Sequence, residues 1–472
     1  MEGRARYLAK NTLIFALGNM ASKLITFFLV PLYTNALSTE QYGTIDVVNT
    51  VCMVLAPILI MNISESVMRF SLDKGANYTK ILSTGVTFFV FELVIGLLVF
   101  PILSYFESVR AYSLYIYLFT VTTSGSELFL CYLRGKEKLV SYSVGNVIHT
   151  FAIALLNILF LLVFRQGIEG YFKAYILAAL ITMAYAIIAG GVIKDFKAFS
   201  LDINLTKQML KYSIVLIPNT FMWWIMNSSD RIMVISMVSV AANGIYAISY
   251  KLPTLVQTTT NIFNRAWSYS AIRENGAQDE EDYNNSVFQK LTCVVILIGL
   301  MILTFSKPFL KVYVAEAYFS SWKYVSFLTI GCVYLTMASF MATSYTVHKD
   351  SLGYLFSGMF GAVLNILLNF LLIPQIGVYG AAVATCISYI SVFIFRCFHT
   401  RKYIHYNVIN KYFVLGSLLM IVDAGLMYID LIFAQIIQVF LVFFALMFYA
   451  PVWRPLVKTA AKKITHYTKH DR

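Results

Sequence analysis

The chain has 472 residues, 59% hydrophobic and 12% charged, with 36 Lys/Arg against 23 Asp/Glu and a formal net charge of +13. A soluble domain of this size covers its surface with roughly 25% charged residues, so a water-soluble fold is excluded. The positive balance is spread over short segments between apolar blocks, and no nucleic-acid partner is expected.

The apolar blocks are about 18 to 26 residues long, enough to cross ~30 Å of hydrocarbon. Lipid offers the backbone no hydrogen-bond partner, so each block is predicted to be helical. In chain order they lie near 12–37, 44–66, 81–105, 111–133, 142–164, 170–193, 212–237, 241–264, 287–305, 324–347, 352–373, 379–395, 412–429 and 431–450. The expected fold class is an all-α integral membrane protein of about fourteen transmembrane helices. Arg4, Arg6 and Lys10 precede the first block as in a signal peptide. That block runs on to Leu37 without an A-x-A cleavage pattern and reads as a span.

With the N-terminus inside, 27 Lys/Arg fall to cytoplasmic segments, 6 to outside segments and three within spans, residues at span ends being counted with the loop they border. This asymmetry is the positive-inside rule, and it sets both termini in the cytoplasm. The basic tail (Arg454, Lys458, Lys462, Lys463, Lys469, Arg472) is expected to rest on anionic headgroups. The cysteines (Cys52, Cys131, Cys293, Cys332, Cys386, Cys397) lie in or beside apolar blocks without a C-x-x-C, and read as small hydrophobes rather than metal ligands or disulfides.

A weak duplication runs through the blocks. Lys10 and Lys211 open the first and seventh at an offset of 201, and the same offset carries Gly43 of "YGTI" onto Gly244 of "NGIY". At an offset of 210, "GIEG" (Gly167 to Gly170) matches "GVYG" (Gly377 to Gly380), after Asn157 and Asn369 in the preceding spans. Six spans per copy is an even number, so the copies insert in the same orientation around a shared pathway. The expected domains are an N-lobe at 1–205, a C-lobe at 206–405, and spans 13–14 with the tail at 406–472. Two parallel six-helix lobes would then enclose a central cavity, with a C-terminal hairpin appended.

Charges inside the blocks are Lys23, Arg231 and Lys251, with Asp46, Glu65, Glu92, Glu127, Asp230 and Asp423. Each costs on the order of 2.5–3.5 kcal/mol at mid-membrane, so nine facing lipid would cost up to roughly 20–30 kcal/mol. Most must face protein or water. At helical spacing, Asn19, Ser22, Lys23 and Thr26 share one face of span 1. Span 4 carries Thr120, Thr123, Ser124, Glu127, Cys131 and Arg134; span 5 carries Asn146, His149 and Asn157. Span 7 carries Asn219, Trp223, Asn227 and Asp230, and span 8 Lys251, Thr254, Thr258, Asn261 and Arg265. Such stripes either wall a hydrated cavity or join helices. His149 reads as a packing residue, and Asp230 as a neutralising neighbour of Arg231. Lys23 and Lys251 each lie about ten residues into a block, too deep for easy snorkelling, with no acid near on their own stripe. Cations in a water-filled cavity suit an anionic substrate such as a phosphate or pyrophosphate. Arg69, Arg134 and Arg265, at cytoplasmic ends of spans, would extend that field.

Neither a G-x-x-x-x-G-K-[ST] nor an H-E-x-x-H nor a G-x-S-x-G motif is present. The longest outside loop runs only from Ser306 to Lys323. No enzyme, cofactor or metal is therefore expected.

Several segments resemble the polysaccharide biosynthesis protein family, the Wzx-like oligosaccharide flippases of the MATE/MurJ (MOP) superfamily. They are "KNTLIFALGNMASKLITFFLVPLYTNALSTEQYG" (Lys10 to Gly43), "KYSIVLIPNTFMWWIMNSSDRIMV" (Lys211 to Val234), "GIYAISYKLP" with "NRAW" (Asn264 to Trp267), and "NILLNFLLIPQIGVYGAAVAT" (Asn365 to Thr385). Val215 departs from the pattern, where many relatives carry a proline. The resemblance implies two lobes with alternating access in a bacterial cytoplasmic membrane. It also implies transfer of an undecaprenyl-pyrophosphate-linked oligosaccharide from the cytoplasmic to the outer leaflet. Positions matching the family's basic cavity residues are Lys23, Arg69, Arg231, Lys251 and Arg265. Glu92, Glu127 and Asp423 are candidates for ion coupling. The expected partners are the lipid-linked substrate, membrane lipids and the polysaccharide polymerase machinery. The alternatives left open are a MATE-like ion-coupled exporter of small molecules, a lipid II flippase, and a polytopic envelope polymerase or ligase.

Overall fold

The computed structural model describes residues 23–103, 105, 110–196 and 199–454. Arg4, Arg6, Lys10, Asn19, Ser22 and the tail from Lys458 onward lie outside these. Among the described residues the chain is helical with no strand, as the need to satisfy backbone groups inside lipid requires. The protein is an all-α, multi-pass membrane protein.

The helices are α1 (23–36), α2 (Thr39–Leu59), α3 (Ile63–Ser71), α4 (Tyr78–Leu103), α5 (Ser113–Gly135), α6 (Leu139–Asn157), α7 (Gly167–Gly190) and α8 (Ile203–Met237). There follow α9 (Val240–Ser249), α10 (Pro253–Glu274), α11 (Glu280–Tyr313), α12 (Trp322–Met341), α13 (Ser351–Ile376), α14 (Val378–His399), α15 (Lys411–Leu426) and α16 (Ile432–Phe448). Nine helices among the described residues are long and apolar enough to cross a bilayer. The other expected spans correspond to α1, the polar-striped α8, the pair α9–α10, and the shorter α15 and α16.

Several helix ends follow from local sequence. Ser38 and Gln41 form a reciprocal capping box that starts α2, with Gln41 N donating to Ser38 Oγ at 3.2 Å and Ser38 N to Gln41 Oε1 at 3.1 Å. Asn410 Oδ1 accepts from Tyr412 N and Phe413 N, both at 3.0 Å, to start α15.

Contacts divide the chain into two compact units, Met1–Ile232 with Val240–Gly244, and Met233–Ser239 with Ile245–Arg472. The first has a buried core that includes Ile63, Val67, Leu128, Phe129 and Met209. In the second, Phe288, Leu300, Val333 and Phe340 are fully buried. Large apolar side chains that are exposed, such as Leu98 on α4 and Phe440 on α16, are those a hydrocarbon environment would cover.

The structure breaks two blocks read as continuous. Block 44–66 becomes α2 and α3, parted by Met61 and Asn62 at φ 52° and 51°, a left-handed backbone costly for residues with a Cβ. Block 241–264 becomes α9 and α10, parted at Tyr250–Leu252. Pro253 then takes the first turn of α10, where its missing N–H costs nothing. Block 142–164 ends in a π-helical turn, Ile158–Val163, and the helix of block 212–237 starts earlier, at Ile203.

Residues at the expected offsets have similar φ or similar bonding. Gly167 and Gly377 have φ of 57° and 60° and each precedes or opens a helix. Asn157 and Asn369 are fully buried, each donating one turn back, to Ile153 O at 2.8 Å and Asn365 Oδ1 at 2.9 Å. Gly43 and Gly244 meet within the first unit. A Cβ on Gly43 would fall on the Val240 carbonyl oxygen, and one on Gly244 on that of Thr39. The contact is reciprocal at the offset of 201, and only glycine permits it.

Candidate functional site

Polar side chains within the helices fall into separate groups. In the first unit, Arg231 Nη1 on α8 bonds Asp46 Oδ1 on α2 at 2.6 Å. Asn243 Nδ2 donates to Asp46 Oδ2 at 3.2 Å, and the Arg231 amide donates to Asp230 Oδ1 at 2.9 Å. The guanidinium meets Asp46 from another helix, and the neighbouring Asp230 that the sequence singles out accepts from the Arg231 amide. Sequence spacing within one helix carries no information on a partner from a second.

A second group joins α3 and α5. Arg134 Nη1 lies 3.9 Å from Glu65 Oε1, and the Cys131 thiol donates to Glu127 Oε1 at 3.3 Å. One ligand atom from each of Glu65, Glu127 and Cys131 comes within 4.8 Å of the others. Geometrically the three could meet a cation, with the Arg134 charge competing for the same space. The environment of Cys131 is more polar than its reading as a small hydrophobe implied. All six cysteines are unpaired thiols.

The stripe expected on span 4 divides. Ser124 Oγ turns to α4 and donates to Glu92 Oε1 at 2.7 Å, in a site where Glu92 is fully buried. Thr120 Oγ1 donates to Cys52 Sγ at 3.3 Å. These two join helices, and Glu127, Cys131 and Arg134 remain as the face toward Glu65. His149 Nδ1 lies 3.1 Å from Thr182 Oγ1 in the packing of α6 on α7.

Lys23 is exposed at the start of the described part of α1. Arg69 is half exposed at the end of α3 and bonds Asp73 at 2.6 Å. In the second unit, Lys251 sits half-buried in the break between α9 and α10 rather than ten residues into a helix. Its neighbours Tyr246 and Tyr250 bring their hydroxyls to 3.2 Å of one another. Arg265 lies on α10; its side chain, like those of Asn219, Trp223, Asn227 and Asn261, is outside the described set. Within the first unit the structure thus groups Arg231 with Asp46 and Arg69 with Asp73.

Asp423 on α15 is fully buried and accepts from Thr304 Oγ1 on α11 at 3.1 Å and Gln438 Nε2 on α16 at 2.8 Å. Arg396, which the sequence reading put just past the end of span 12, is buried inside α14. It donates to Ser357 Oγ at 3.1 Å and Ala338 O at 2.9 Å, and lies over the Tyr354 ring. Its signal was Ser357 on α13, which no spacing rule connects to position 396.

Outside the spans, Asp350 caps α13 and is held well below the ordinary carboxylate range by the Gly353 amide, Lys402 and Tyr403. Asp195 bonds Lys136 at 2.5 Å and Tyr132 at 2.7 Å.

Residues 8–269, more than half of the chain, match the polysaccharide biosynthesis protein family. The chain belongs to this family. A solved lipid II flippase MurJ in an inward closed conformation is similar over 94% of this chain and all of its own, with a TM-score of 0.66 and 16% identity. An inward-facing multidrug resistance transporter of the MATE family, in the MOP superfamily, covers 87% of this chain and 95% of its own, at a TM-score of 0.59 and 13% identity. The Vibrio cholerae MATE transporter VcmN in its bent form covers 85% and 97%, at 0.51 and 12%. At these identities the likeness is one of fold. An uncharacterised membrane protein of Methanocaldococcus jannaschii, MJ1068, is 27% identical over 177 residues, 36% of this chain. The match spans about a third (34%) of that relative's length.

Proposed function

We propose that this protein is a flippase that moves an undecaprenyl-pyrophosphate-linked oligosaccharide from the cytoplasmic to the outer leaflet by alternating access. The observation that carries the reading is membership in the polysaccharide biosynthesis family on a fold shared with MurJ and MATE transporters. In this reading the head group is held by cations on several helices, Lys23, Arg69, Arg231, Lys251 and Arg265, while the prenyl tail stays in lipid. Placement of Lys251 at a helix break suits a site whose geometry changes during the cycle, because a break absorbs rotation that a continuous helix resists. An outward step for a head of about −2 charge is favoured by an inside-negative potential at about 2.3 kcal/mol per charge per 100 mV. Glu92, Glu127 and Asp423 are the candidates for coupling to an ion. The protein would lie in a bacterial cytoplasmic membrane with both termini inside, next to the polysaccharide polymerase machinery.

The test is complementation of a flippase-deleted bacterium carrying its own glycan locus, scored by surface polysaccharide at matched protein levels. Wild type is expected to restore the polymer, and Lys23→Ala and Lys251→Ala to fail. Full rescue by both variants would remove the assigned cations. The second reading, a small-molecule exporter, is favoured by the MATE likeness and by the acids Asp46, Glu65 and Glu127 in the first unit. It predicts export of cationic dyes without any effect on surface polysaccharide.

A further inference from the structure

We propose that Asp423 is a proton-binding carboxyl, reached by water through the cavity that opens beside the turn between α15 and α16. Asp423 has no exposed surface. Its carboxyl oxygens meet Thr304 Oγ1 at 3.1 and 3.3 Å and Gln438 Nε2 at 2.8 Å, and Gln438 Nε2 also donates to the Asp423 carbonyl at 3.0 Å. Both side-chain partners are neutral donors, from two different helices. Among the described residues no ion pair involves Asp423. An ionisable group set this deep among apolar helices, with two polar side chains gathered around it, marks a site of ion movement rather than a packing choice.

The second observation is the cavity, about 470 Å³, in the same unit. Thr304 and Gln438, the two groups bonded to the carboxyl, form its wall together with Lys307, Lys311, Asp430 and Gln435. Its volume accommodates on the order of ten waters at ~30 Å³ each. Its rim is open, since Asp430 is 82% exposed and Ile432 equally so. Thr304 thus lines the cavity while its hydroxyl bonds the carboxyl. A hydronium in the cavity gives a proton to Thr304 Oγ as the hydroxyl passes its own proton to Asp423 Oδ. One O–H bond forms at the carboxyl, the hydroxyl is restored, and water is left behind.

The charged and titratable groups around this path are few. On α11 they are Lys307 and Lys311. Lys307 is bonded to Asp430 and to Met427 O and lies 4.2 Å from the Trp322 ring centre. The α12 end contributes Lys323, whose carbonyl accepts from the Tyr428 hydroxyl. No residue of α16 is titratable. The fixed positive charge lies toward the mouth, with Lys307 held by Asp430, so the carboxyl remains the proton acceptor at the inner end. The charge asymmetry of the chain assigns this mouth to the exterior. A proton taken up there and released inside would drive the cycle inward against substrate moving outward; this coupling rests on the flippase reading, whereas the proton site does not.

The experiment uses the full chain reconstituted in liposomes, with infrared difference spectra of the carboxyl C=O stretch between about pH 5 and about pH 9. A protonation band is expected in wild type and absent in Asp423→Asn. In Thr304→Val, which keeps the acid, its hydrogen–deuterium exchange should slow by about tenfold or more. The same variants are scored for surface polysaccharide in cells over a range of external pH, where Asp423→Asn should flatten the pH dependence. Identical spectra for wild type and Asp423→Asn would overturn the proton site. If Asp423→Asn does not fold, unchanged exchange in Thr304→Val would overturn the route. A titrating carboxyl with undiminished polysaccharide in Asp423→Asn would overturn the coupling. A titrating carboxyl in a wild type that restores no polysaccharide would instead sink the flippase reading.

Discussion

The Arg231–Asp46 pair can be separated into a structural and a transport role. The two side chains are 23% and 13% exposed and 2.6 Å apart, and Asn243, fully buried, supplies the second oxygen of Asp46 with a donor at 3.2 Å. Removing one partner of a fully buried pair costs about 3–5 kcal/mol. Partial exposure of the guanidinium lowers this to about 2–3 kcal/mol for Arg231→Met. Asp46→Asn should cost less, about 1–2 kcal/mol, because Asn retains a hydrogen-bonding oxygen. In the double variant no buried charge is left alone, and the loss should be about 1 kcal/mol, which makes the coupling energy about 2 kcal/mol or more. The assay is equilibrium unfolding of the four purified proteins in one detergent, with surface polysaccharide in cells as a parallel readout. The double variant is expected to regain stability and expression without regaining polymer, because the charge proposed to meet the substrate is still missing. Additive effects within about 0.5 kcal/mol would refute the structural coupling. Recovery of polymer in the double variant would refute a substrate role for Arg231.

Other expectations are narrower. Gly43→Ala should lower stability by about 1–3 kcal/mol, because the new Cβ meets a backbone carbonyl that cannot rotate away. Gly85→Ala should be milder by thermal unfolding, since its Cβ would meet the Val67 and Leu128 methyls at 3.0 and 3.2 Å. The Asp350 cap titrates below the ordinary carboxylate range, so its contribution is complete above the unfolded-state value and is lost as pH falls toward the folded one. Acid melting curves of wild type and Asp350→Asn should therefore differ at neutral pH and converge in strong acid; curves equally far apart at both ends would contradict this. Lys251→Arg should retain more polymer than Lys251→Ala, as a charge requirement demands, and equal loss in both would point to the shape of the helix break instead.

Much of the architecture was legible in the sequence because lipid enforces it. Block length and hydropathy marked the spans. What was not legible depended on a second helix. On α5, Ser124 and Arg134 stand about 80° apart at 100° per residue, far enough for Ser124 to meet Glu92 while Arg134 approaches Glu65. Periodicity gives the face but not the neighbour on it. The break at Tyr250–Leu252 had a signal in Pro253, which the apolar run on both sides concealed. Asp423 was visible as a charge out of place, but Thr304 and Gln438 lie 119 and 15 residues away, and only packing brings them together.

The most direct measurement is leaflet transfer itself. Purified protein is reconstituted with an undecaprenyl-pyrophosphate-linked oligosaccharide confined to one leaflet, and its arrival in the other is read with a membrane-impermeant glycosidase. The account predicts protein-dependent transfer that is strongly reduced by Lys23→Ala and Lys251→Ala. Transfer no faster than in protein-free liposomes, from a preparation that exports a cationic dye, would contradict it.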